Sequence, residues 1–447
     1  MCEVTVAPGL AQNNDFAGAV SGASADAPGE PPRDSSSESQ EDYVVSVIAE
    51  KPSLALEQLT LTYFRNYANL RLNCGAEPVV LTGSNGAGKT NLLEAISFLA
   101  PGRGLRRAKL DDIAHRDINR NLEVTEQERG GRDEAIAGRA WGVAAHLKTP
   151  QGPLTIGTGC NGETTPSGRA RRIVHIDGQA VSQQAVLAEH VHVQWLTPQM
   201  DRLFLEGAQA RRHFLDRLVF GFDPAHAGRV AAYDHALRER NRLLRTDGLR
   251  ADPDWLAALE ETMAAKGVAV VAARREVLMR MMPACAQVHS HFPAADVMLV
   301  GELETWLEED PALAVEDRFR AALAASRGRD AAAGRATTGP HRSDLRVRHE
   351  GNGRMAEHCS TGEQKALLIR LILAHVQTAA RELGQLPILL LDEVAAHLDE
   401  KRRSALIEEI LALRIQAWLT GTDVSLFQAF KRTAQFFNIE AGAVMRG

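Results

Sequence analysis

Apolar positions along this chain follow two periods, and each change of period marks a predicted element. Residues 54–72 carry leucines in a broken two-residue alternation, which predicts a hairpin-like pair of strands with a turn at Arg65 and Asn66. Residues 78–81 form a short apolar run with two valines, which is typical of a buried parallel strand. Apolar residues then recur at helical spacing from 92 to 99. The first hundred residues therefore contain strand, turn and helix in succession.

The later pattern changes from strands to helices and back. Residues 141–147, 154–158 and 172–178 alternate as strands of an antiparallel layer do. The range 181–327 is predominantly helical, with soft breaks expected at Gly267 and Pro283. Residues 328–337 are rich in Ala, Gly and Arg and predict a linker, and 388–391 predict a second buried strand. The helical stretch thus separates two parts of one mixed α/β unit.

The turn between the strand at 78–81 and the following helix has the chemistry of a phosphate cradle. Its pattern is Gly, four residues, Gly, Lys and Thr, in the strand–turn–helix context that gives this motif its meaning. Glycines let backbone N–H groups close around an anion at a helix N-terminus. Lys89 is expected to hold the β- and γ-phosphates and Thr90 to coordinate Mg²⁺. The predicted nucleotide-binding residues are Gly83, Ser84, Asn85, Gly86, Ala87, Gly88, Lys89, Thr90 and Asn91.

A pair of acids follows the strand at 388–391. Asp392 at the strand end is expected to join the Mg²⁺ shell. Glu393 comes next, where a general base or water-orienting group acts on the γ-phosphate. Asp392 is about 300 residues from Lys89, so the two halves must converge on one site. The predicted cofactors are therefore ATP and Mg²⁺.

Four further features complete the predicted nucleotide site. Residues 360–364 resemble the signature loop of ABC-type ATPases, which acts on the nucleotide of the opposite subunit. Ser360 with Glu363 also fits a capping box, and both interpretations hold together. Gln199 is placed like the Mg²⁺-sensing Gln of those ATPases, and residues 420–422 stand where many of them carry His. Arg65 and Asn66 are either phosphate contacts or an ordinary solvated turn.

Taken together, the motifs resemble the RecF family among SMC-like ATPases. The matching strings are FRNY (64–67), GSNGAGKTNLLEAI (83–96), ARRHFLDRL (210–218), YDHALRERNRLL (233–244), TGPHRSDL (338–345), STGEQKALL (360–368), LLLDEVAAHLD (389–399) and TGTD (420–423). They occur in the family's order over roughly residues 54 to 440. The FRNY, FLDR, RN-LL and GPHR strings distinguish this family from other P-loop ATPases.

The resemblance implies an ABC/SMC-type P-loop ATPase head, a mixed sheet with helices, carrying an inserted and mainly helical lobe. It implies an ATP-dependent homodimer in which Ser360, Gly362 and Asp399 of one chain meet the nucleotide of the other. It also implies binding to double-stranded and gapped DNA near single-strand junctions, slow ATP hydrolysis for release, and action with RecR, RecO and RecA. The catalytic residues expected are Glu393, Lys89 and Gln199, and the metal site is Thr90, Asp392 and Gln199.

Charge is informative once the chain is divided. Residues 1–51 carry nine acids and two bases, a net of −7, against −6 for the whole chain, so the remainder is +1. DNA affinity must then come from local patches. The cluster that follows the P-loop helix is the preferred phosphate contact: Arg103, Arg106, Arg107 and Lys109.

The expected division is a disordered acidic extension at 1–52, the first half of the head at 53–180, the helical lobe at 181–330 and the second half of the head at 331–447. No stretch of 18 apolar residues occurs, so no membrane span is expected. Five cysteines without metal spacing suit a reducing cytosol. The resemblance implies that the protein associates with the nucleoid through DNA.

Three other classes of protein are alternatives to this interpretation of the sequence. A transporter ATPase subunit would place its two nucleotide motifs closer together. An ATP-dependent nuclease of the OLD type would need an acidic metal-binding domain after the head. A clamp that binds ATP without hydrolysing it differs only in turnover.

Overall fold

The computed structural model describes residues 54–115, 140–162, 170–287, 291–430 and 432–447. The acidic extension predicted at 1–52 lies outside the described residues. All described residues belong to one compact unit.

The first sheet is antiparallel and contains six strands in the order β2-β1-β4-β5-β6-β7. The turn between β1 and β2 is the predicted one, with Phe64 paired to Tyr67 across Arg65 and Asn66. Residues along β4 are alternately buried and more exposed, which explains the two-residue period of its sequence. The strands are β1 Ala55–Phe64, β2 Tyr67–Asn73, β4 Trp141–Thr149, β5 Gly152–Cys160, β6 Ile173–Ile176 and β7 Gln179–Val181.

The second sheet brings the distant nucleotide motifs together. Its order is β14-β13-β3-β12-β11-β8, and all neighbours are parallel except β13 and β14. The strands β3, β11 and β12 are buried along their whole length, as the central strands of a covered parallel sheet are. The strands are β3 Val79–Thr82, β8 Val193–Leu196, β11 Ile388–Leu391, β12 Ala417–Thr420, β13 Gln435–Glu440 and β14 Ala443–Arg446.

Helices fill most of the chain between the two halves of this sheet. A separate hydrophobic core lies among them, built around Tyr233, Met263, Val271 and Phe319. No helix in the described ranges has both the length and the apolar character that crossing a bilayer requires. The helices are α1 Lys89–Ser97, α2 Leu187–His190, α3 Ala208–Phe220, α4 His226–Asp247, α5 Pro253–Cys285, α6 Glu302–Glu309, α7 Ala312–Ala325, α8 Arg327–Ala333, α9 Thr361–Leu383 and α10 Glu400–Ala412.

The range predicted to be helical differs from the structure in three places. It contains β8, which pairs with β11 and so belongs to the nucleotide-site sheet. It also contains β9, Ala295–Val300, which forms a two-stranded sheet with β10, Asp344–His349. The helix α5 runs without a break through Gly267 and carries Pro283 in its last turn. Pro283 has no N–H to donate to the preceding turn, and the helix ends two residues after it.

The linker predicted at 328–337 is also wrong in its first half, because α8 occupies Arg327–Ala333. A buried ion pair anchors this helix: Arg240 Nη1 lies 2.9 Å from Asp330 Oδ2, and neither side chain is exposed. Ser326 Oγ donates to the same carboxylate oxygen at 2.7 Å. The composition of the segment is that of a linker, but one buried carboxylate with several donors fixes it as helix.

The FLDR and GPHR strings meet where the helical lobe joins the head. Arg274 of α5 forms a bidentate pair with Asp216, at 2.8 and 2.9 Å. Burial alone would raise the pKa of Asp216, but Arg274 and the hydrogen bonds from His226 and Arg274 lower it to about 2. The Tyr233 hydroxyl lies 2.6 Å from His341 Nδ1. Arg274 Nη1 also donates to the Pro340 carbonyl at 2.9 Å, and this bond and the Tyr233–His341 contact join the lobe to the second half of the head.

Candidate nucleotide site and its surroundings

The phosphate cradle is a turn that only glycine can form at two positions. Gly83 and Gly88 have φ of +140° and +120°. A Cβ on Gly83 would lie 2.2 Å from the Ile439 carbonyl oxygen, and one on Gly88 would lie 2.5 Å from Asn66 Nδ2. The helix α1 then begins at Lys89. The loop therefore brings its backbone close to neighbouring strands and ends at a helix N-terminus, as an anion-binding turn requires.

Lys89 lies inside this turn. Its Nζ donates to the carbonyl oxygens of Gly83 and Ser84 at 2.7 and 2.9 Å. Burial lowers the pKa of Lys89, and the carboxylates of Glu393 and Asp392 act against that shift. Its ammonium is thus held by the loop that would surround a phosphate, within electrostatic reach of both acids.

Asp392 collects hydroxyl groups from both sides of the site. Thr90 Oγ1 donates to Asp392 Oδ1 at 3.0 Å, and Thr420 Oγ1 donates to the same oxygen at 2.9 Å. Burial raises the pKa of Asp392 above its ordinary value, and the nearby Glu393 carboxylate acts in the same direction. The hydrogen bonds from Thr420 and Thr90 oppose this shift only in part. The two halves of the sequence therefore converge as predicted, since the Thr90–Asp392 contact joins residues 302 positions apart.

Glu393 has an unusual backbone conformation. Its φ is +52°, in the left-handed region that a residue other than glycine rarely adopts. Its N–H donates to Thr420 Oγ1 at 2.8 Å. Thr420 therefore supports both acids at once, and it lies in the segment 420–422 that was placed at the position of the His in other ABC-type ATPases. The TGTD string marked the segment but gave no reason to select this hydroxyl.

The donor set fits Mg²⁺. A threonine hydroxyl and a carboxylate oxygen lie side by side, and both are oxygen ligands of the kind Mg²⁺ takes. Within the described ranges, no group of three or more His, Cys, Asp or Glu residues could hold a metal. A site of one carboxylate and one hydroxyl suits an ion that completes its shell with water and phosphate oxygens.

Behind the cradle, the FRNY turn supports the P-loop through side chains. Asn66 Nδ2 donates to the Ala87 carbonyl at 3.0 Å, and the Tyr67 hydroxyl donates to the Gly88 carbonyl at 3.1 Å. Asn91 Nδ2 donates to Asn66 Oδ1 at 2.7 Å. Tyr67 is buried and was not predicted as part of the site. Asn66 thus contacts the loop itself and Asn91 contacts Asn66, and direct contact of either with nucleotide stays a prediction.

Arg65 has a different partner from the predicted phosphate. Its Nε and Nη2 donate to the two carboxylate oxygens of Glu94 at 2.9 and 2.7 Å, and Glu94 is fully buried. Its Nη1 donates to the Asp112 carbonyl at 2.7 Å. A phosphate contact by Arg65 requires the guanidinium to leave this carboxylate, so that assignment stays a prediction.

The predicted DNA-contact cluster follows α1 and lies at the surface, with all four basic residues exposed: Arg103, Arg106, Arg107 and Lys109. Arg106 Nη1 also donates to Asn91 Oδ1 at 2.6 Å and approaches Glu94 Oε2 at 3.2 Å. Arg103 and Arg107 line a cavity of about 750 Å³ that extends to His213 and Arg238 of the lobe. Arg106 therefore links the basic cluster to Asn91, which contacts the Asn66 side chain that supports the P-loop.

Gln199 lies on a short 3₁₀ turn, Pro198–Arg202, directly after β8. Because β8 is the neighbour of β11, this turn emerges beside the strand that ends in Asp392. The side chain of Gln199 is exposed. Its position agrees with the sequence expectation, while its contact with Mg²⁺ stays a prediction.

The predicted signature and Asp399 form a second face, at the beginnings of two helices. Ser360 caps α9 in a full capping box with Glu363: its Oγ accepts from the Glu363 N–H at 3.3 Å, and its own N–H donates to Glu363 Oε2 at 2.8 Å. Asp399 caps α10 by accepting from the Arg402 N–H at 2.9 Å. Within the described residues, no hydrogen bond or ion pair joins these caps to Gly83–Thr90.

Comparison with known proteins agrees with this geometry. The family model described as the RecF/RecN/SMC N terminal domain matches residues 55–443. The DNA replication and repair protein RecF of Mesorhizobium japonicum is 48% identical over 392 residues, covering 87% of this chain and 97% of that protein. The protein of the same name from a Caulobacter species is 49% identical over 396 residues, covering 85% and 95%.

Two solved structures share the fold. They are described as the recombination mediator protein RecF of the RecFOR pathway with ATPrS and with ATP. Each matches with a TM-score of 0.73 at 21% identity and covers 89% of this chain, and this chain covers 99% and 98% of them.

Proposed function

The chain belongs to the RecF family of DNA replication and repair proteins, and from this premise we propose that it is an ATP-dependent DNA-binding protein of recombinational repair. ATP would join two copies on DNA, and slow hydrolysis would release them. The observation that carries the proposal is that, in the described residues, the Ser360 and Asp399 caps make no hydrogen bond or ion pair with Gly83–Thr90, so we assign the nucleotide motifs to two faces. The P-loop and Asp392 share one face through Thr90, and the Ser360 and Asp399 caps form the other.

ATP would bind along Gly83–Thr90, with the phosphates at the N-terminus of α1. Lys89 would move its ammonium from the loop carbonyls to the β- and γ-phosphates. Thr90 and Asp392 would hold Mg²⁺, which would supply positive charge to offset that of the phosphates. The ATP-bound state of the solved RecF structures supports this assignment of the ligand.

The second face would serve the nucleotide of another copy. Helix N-termini carry partial positive charge and free N–H groups, which favour a γ-phosphate. A two-fold dimer would place the Ser360 face of each chain against the P-loop face of the other, so two nucleotides would be enclosed. Because each nucleotide would touch both chains, its γ-phosphate would control the association.

Glu393 would orient the attacking water or accept its proton. Its left-handed backbone conformation, held by the N–H bond to Thr420, fixes the direction in which its side chain leaves the backbone. Turnover is expected to be slow, because hydrolysis would serve release of DNA rather than product formation. Stimulation of turnover by DNA follows if DNA favours the closed dimer.

DNA contact would come from the exposed basic cluster after α1, since the chain beyond the first 51 residues is near neutral. The proposed DNA substrates are duplex and gapped DNA. The proposed protein partners are RecR and RecO, with RecA loading as the outcome, in a cytoplasmic and nucleoid-associated setting. The membership in RecF and the pathway of the matched structures support these partners.

Sedimentation equilibrium with ATP, ADP and no nucleotide tests the proposal. The wild-type chain should dimerise with ATP but not with ADP or without nucleotide. Glu393→Gln should remain dimeric after ATP is added, because it does not hydrolyse the bound ATP. Lys89→Met should bind no nucleotide and stay monomeric. Nucleotide-independent dimers, or dimerisation of Lys89→Met with ATP, would refute the proposal. ATP turnover measured on the same samples distinguishes an ATPase from a clamp that never hydrolyses.

A further inference from the structure

The caps of α9 and α10 are joined by one arginine. Arg402 Nη1 donates to the Gly362 carbonyl at 3.3 Å, and its Nε lies 3.7 Å from Asp399 Oδ2. Its backbone N–H also donates to Asp399 Oδ1 at 2.9 Å. The first turns of two helices that lie apart in sequence therefore share one side chain, which is 30% exposed.

Gly362 has no evident reason within the chain to be glycine. Its φ is not in the left-handed region, and a Cβ there would meet only Arg402 Nη1 at 3.7 Å, an ordinary contact distance. A glycine in a helix costs up to about 1 kcal/mol relative to alanine. A missing side chain at a helix N-terminus is explained when a ligand from outside approaches the backbone closely.

The charge of the α10 first turn leads to the same conclusion. Lys401, Arg402 and Arg403 occupy it together with Glu400, although a helix N-terminus favours anions over cations. These three cations outnumber the two acids Asp399 and Glu400, so this helix end is net positive and its cations are unfavourable beside the helix dipole in the isolated chain. An approaching triphosphate would relieve that repulsion, so the turn is suited to meet an anion.

We infer that Arg402 is a positioning residue that fixes Gly362 and Asp399 as one rigid face for the triphosphate bound by a second copy of the chain. This inference rests on the proposed dimer. With the bridge in place, the two caps lose little freedom when the copies associate, so less of the association free energy goes into ordering them. Arginine suits the role because its planar guanidinium directs donors to two acceptors at once, which a lysine ammonium does less well.

The test compares Arg402→Ala and Arg402→Lys with Arg381→Ala, a control that removes an exposed cation from the last turn of α9. Sedimentation with ATP measures dimerisation, and a fluorescent ATP analogue measures nucleotide affinity at concentrations where the chain is monomeric. Arg402→Ala should weaken dimerisation at least tenfold while monomer nucleotide affinity changes less than twofold. Arg402→Lys should recover only part of the loss, and Arg381→Ala should stay within threefold of wild type. A symmetric dimer contains the bridge twice, which amplifies the effect.

A double-mutant cycle separates positioning from a general loss of charge. Asp399→Asn and Arg402→Gln should each weaken the dimer, and the double variant should be little worse than either alone, because both remove the same bridge. Wild-type affinity in Arg402→Ala, or additive losses in the cycle, would overturn the inference while leaving an ATP-dependent dimer intact. A wild-type chain that never dimerises with ATP would instead refute the proposed function and this inference with it.

Discussion

Replacing Thr420 with valine removes one hydroxyl and keeps the shape of the side chain. That hydroxyl is buried, donates to Asp392 Oδ1 at 2.9 Å and accepts from the Glu393 N–H at 2.8 Å. Thr420→Val therefore leaves the Asp392 carboxylate with one donor fewer and the Glu393 N–H without its acceptor. Thr420→Ser keeps the hydroxyl and removes only a methyl group, so it is the matched control.

The magnitude follows from these two contacts. A hydrogen bond to a charged group contributes about 1.5–3 kcal/mol, and an unsatisfied N–H costs about 1–3 kcal/mol. The valine methyl recovers about 1 kcal/mol of burial. The free energy of unfolding should fall by about 1.5–5 kcal/mol in Thr420→Val, against about 1 kcal/mol in Thr420→Ser for the lost methyl.

The assay is urea unfolding of both variants, followed by ATP turnover. Because the Glu393 N–H bond holds a left-handed residue, its loss should displace the carboxylate and lower turnover by about 10- to 100-fold in Thr420→Val. Thr420→Ser should turn over within about threefold of wild type. Equal unfolding midpoints and equal turnover for the two variants would refute the role assigned to the hydroxyl.

Two further predictions concern the P-loop and the pH dependence of stability. Gly88→Ala should abolish measurable ATP binding in calorimetry, because its Cβ would lie 2.5 Å from Asn66 Nδ2 and 2.6 Å from the Tyr67 hydroxyl; affinity within threefold of wild type would contradict this. Burial lowers the pKa of His341 and of His375 to about 4, below the value of about 6.5 in the unfolded chain. The contribution of each neutral histidine to the free energy of unfolding is fully present above pH 6.5. It is lost as the pH falls toward 4, by about 3 kcal/mol per histidine. Urea midpoints that stay constant between pH 7 and 4.5 would exclude this.

Local patterns in the sequence predicted much of the site. The strand, glycine turn and helix around Lys89 are encoded within about twenty residues, and the capping box at Ser360 within four. Such features depend on neighbours in the chain, so their residue types identify them. The convergence of Thr90 with Asp392 also followed, because one Mg²⁺ requires it.

Contacts between distant side chains were not predictable in the same way. Arg65 at a half-buried turn has the residue type of a phosphate ligand, yet its guanidinium pairs with the buried Glu94 on the P-loop helix. The strand β8 has only four residues in a mainly helical range, and its place is set by pairing with β11. The helix α8 has the composition of a linker and is fixed by Asp330. In each case one tertiary partner outweighs local preference.

Mixing two inactive variants tests the composite site most directly. Lys89→Met lacks a nucleotide but keeps the Ser360 face, and Ser360→Arg binds ATP but blocks that face. Alone, each should remain monomeric with ATP, as sedimentation of differently labelled chains would show. Mixed with ATP, they should form a heterodimer containing one intact site, whose affinity is below that of the wild-type homodimer. Absence of the heterodimer while wild-type chain dimerises, or ATP-dependent homodimers of Ser360→Arg, would contradict the account.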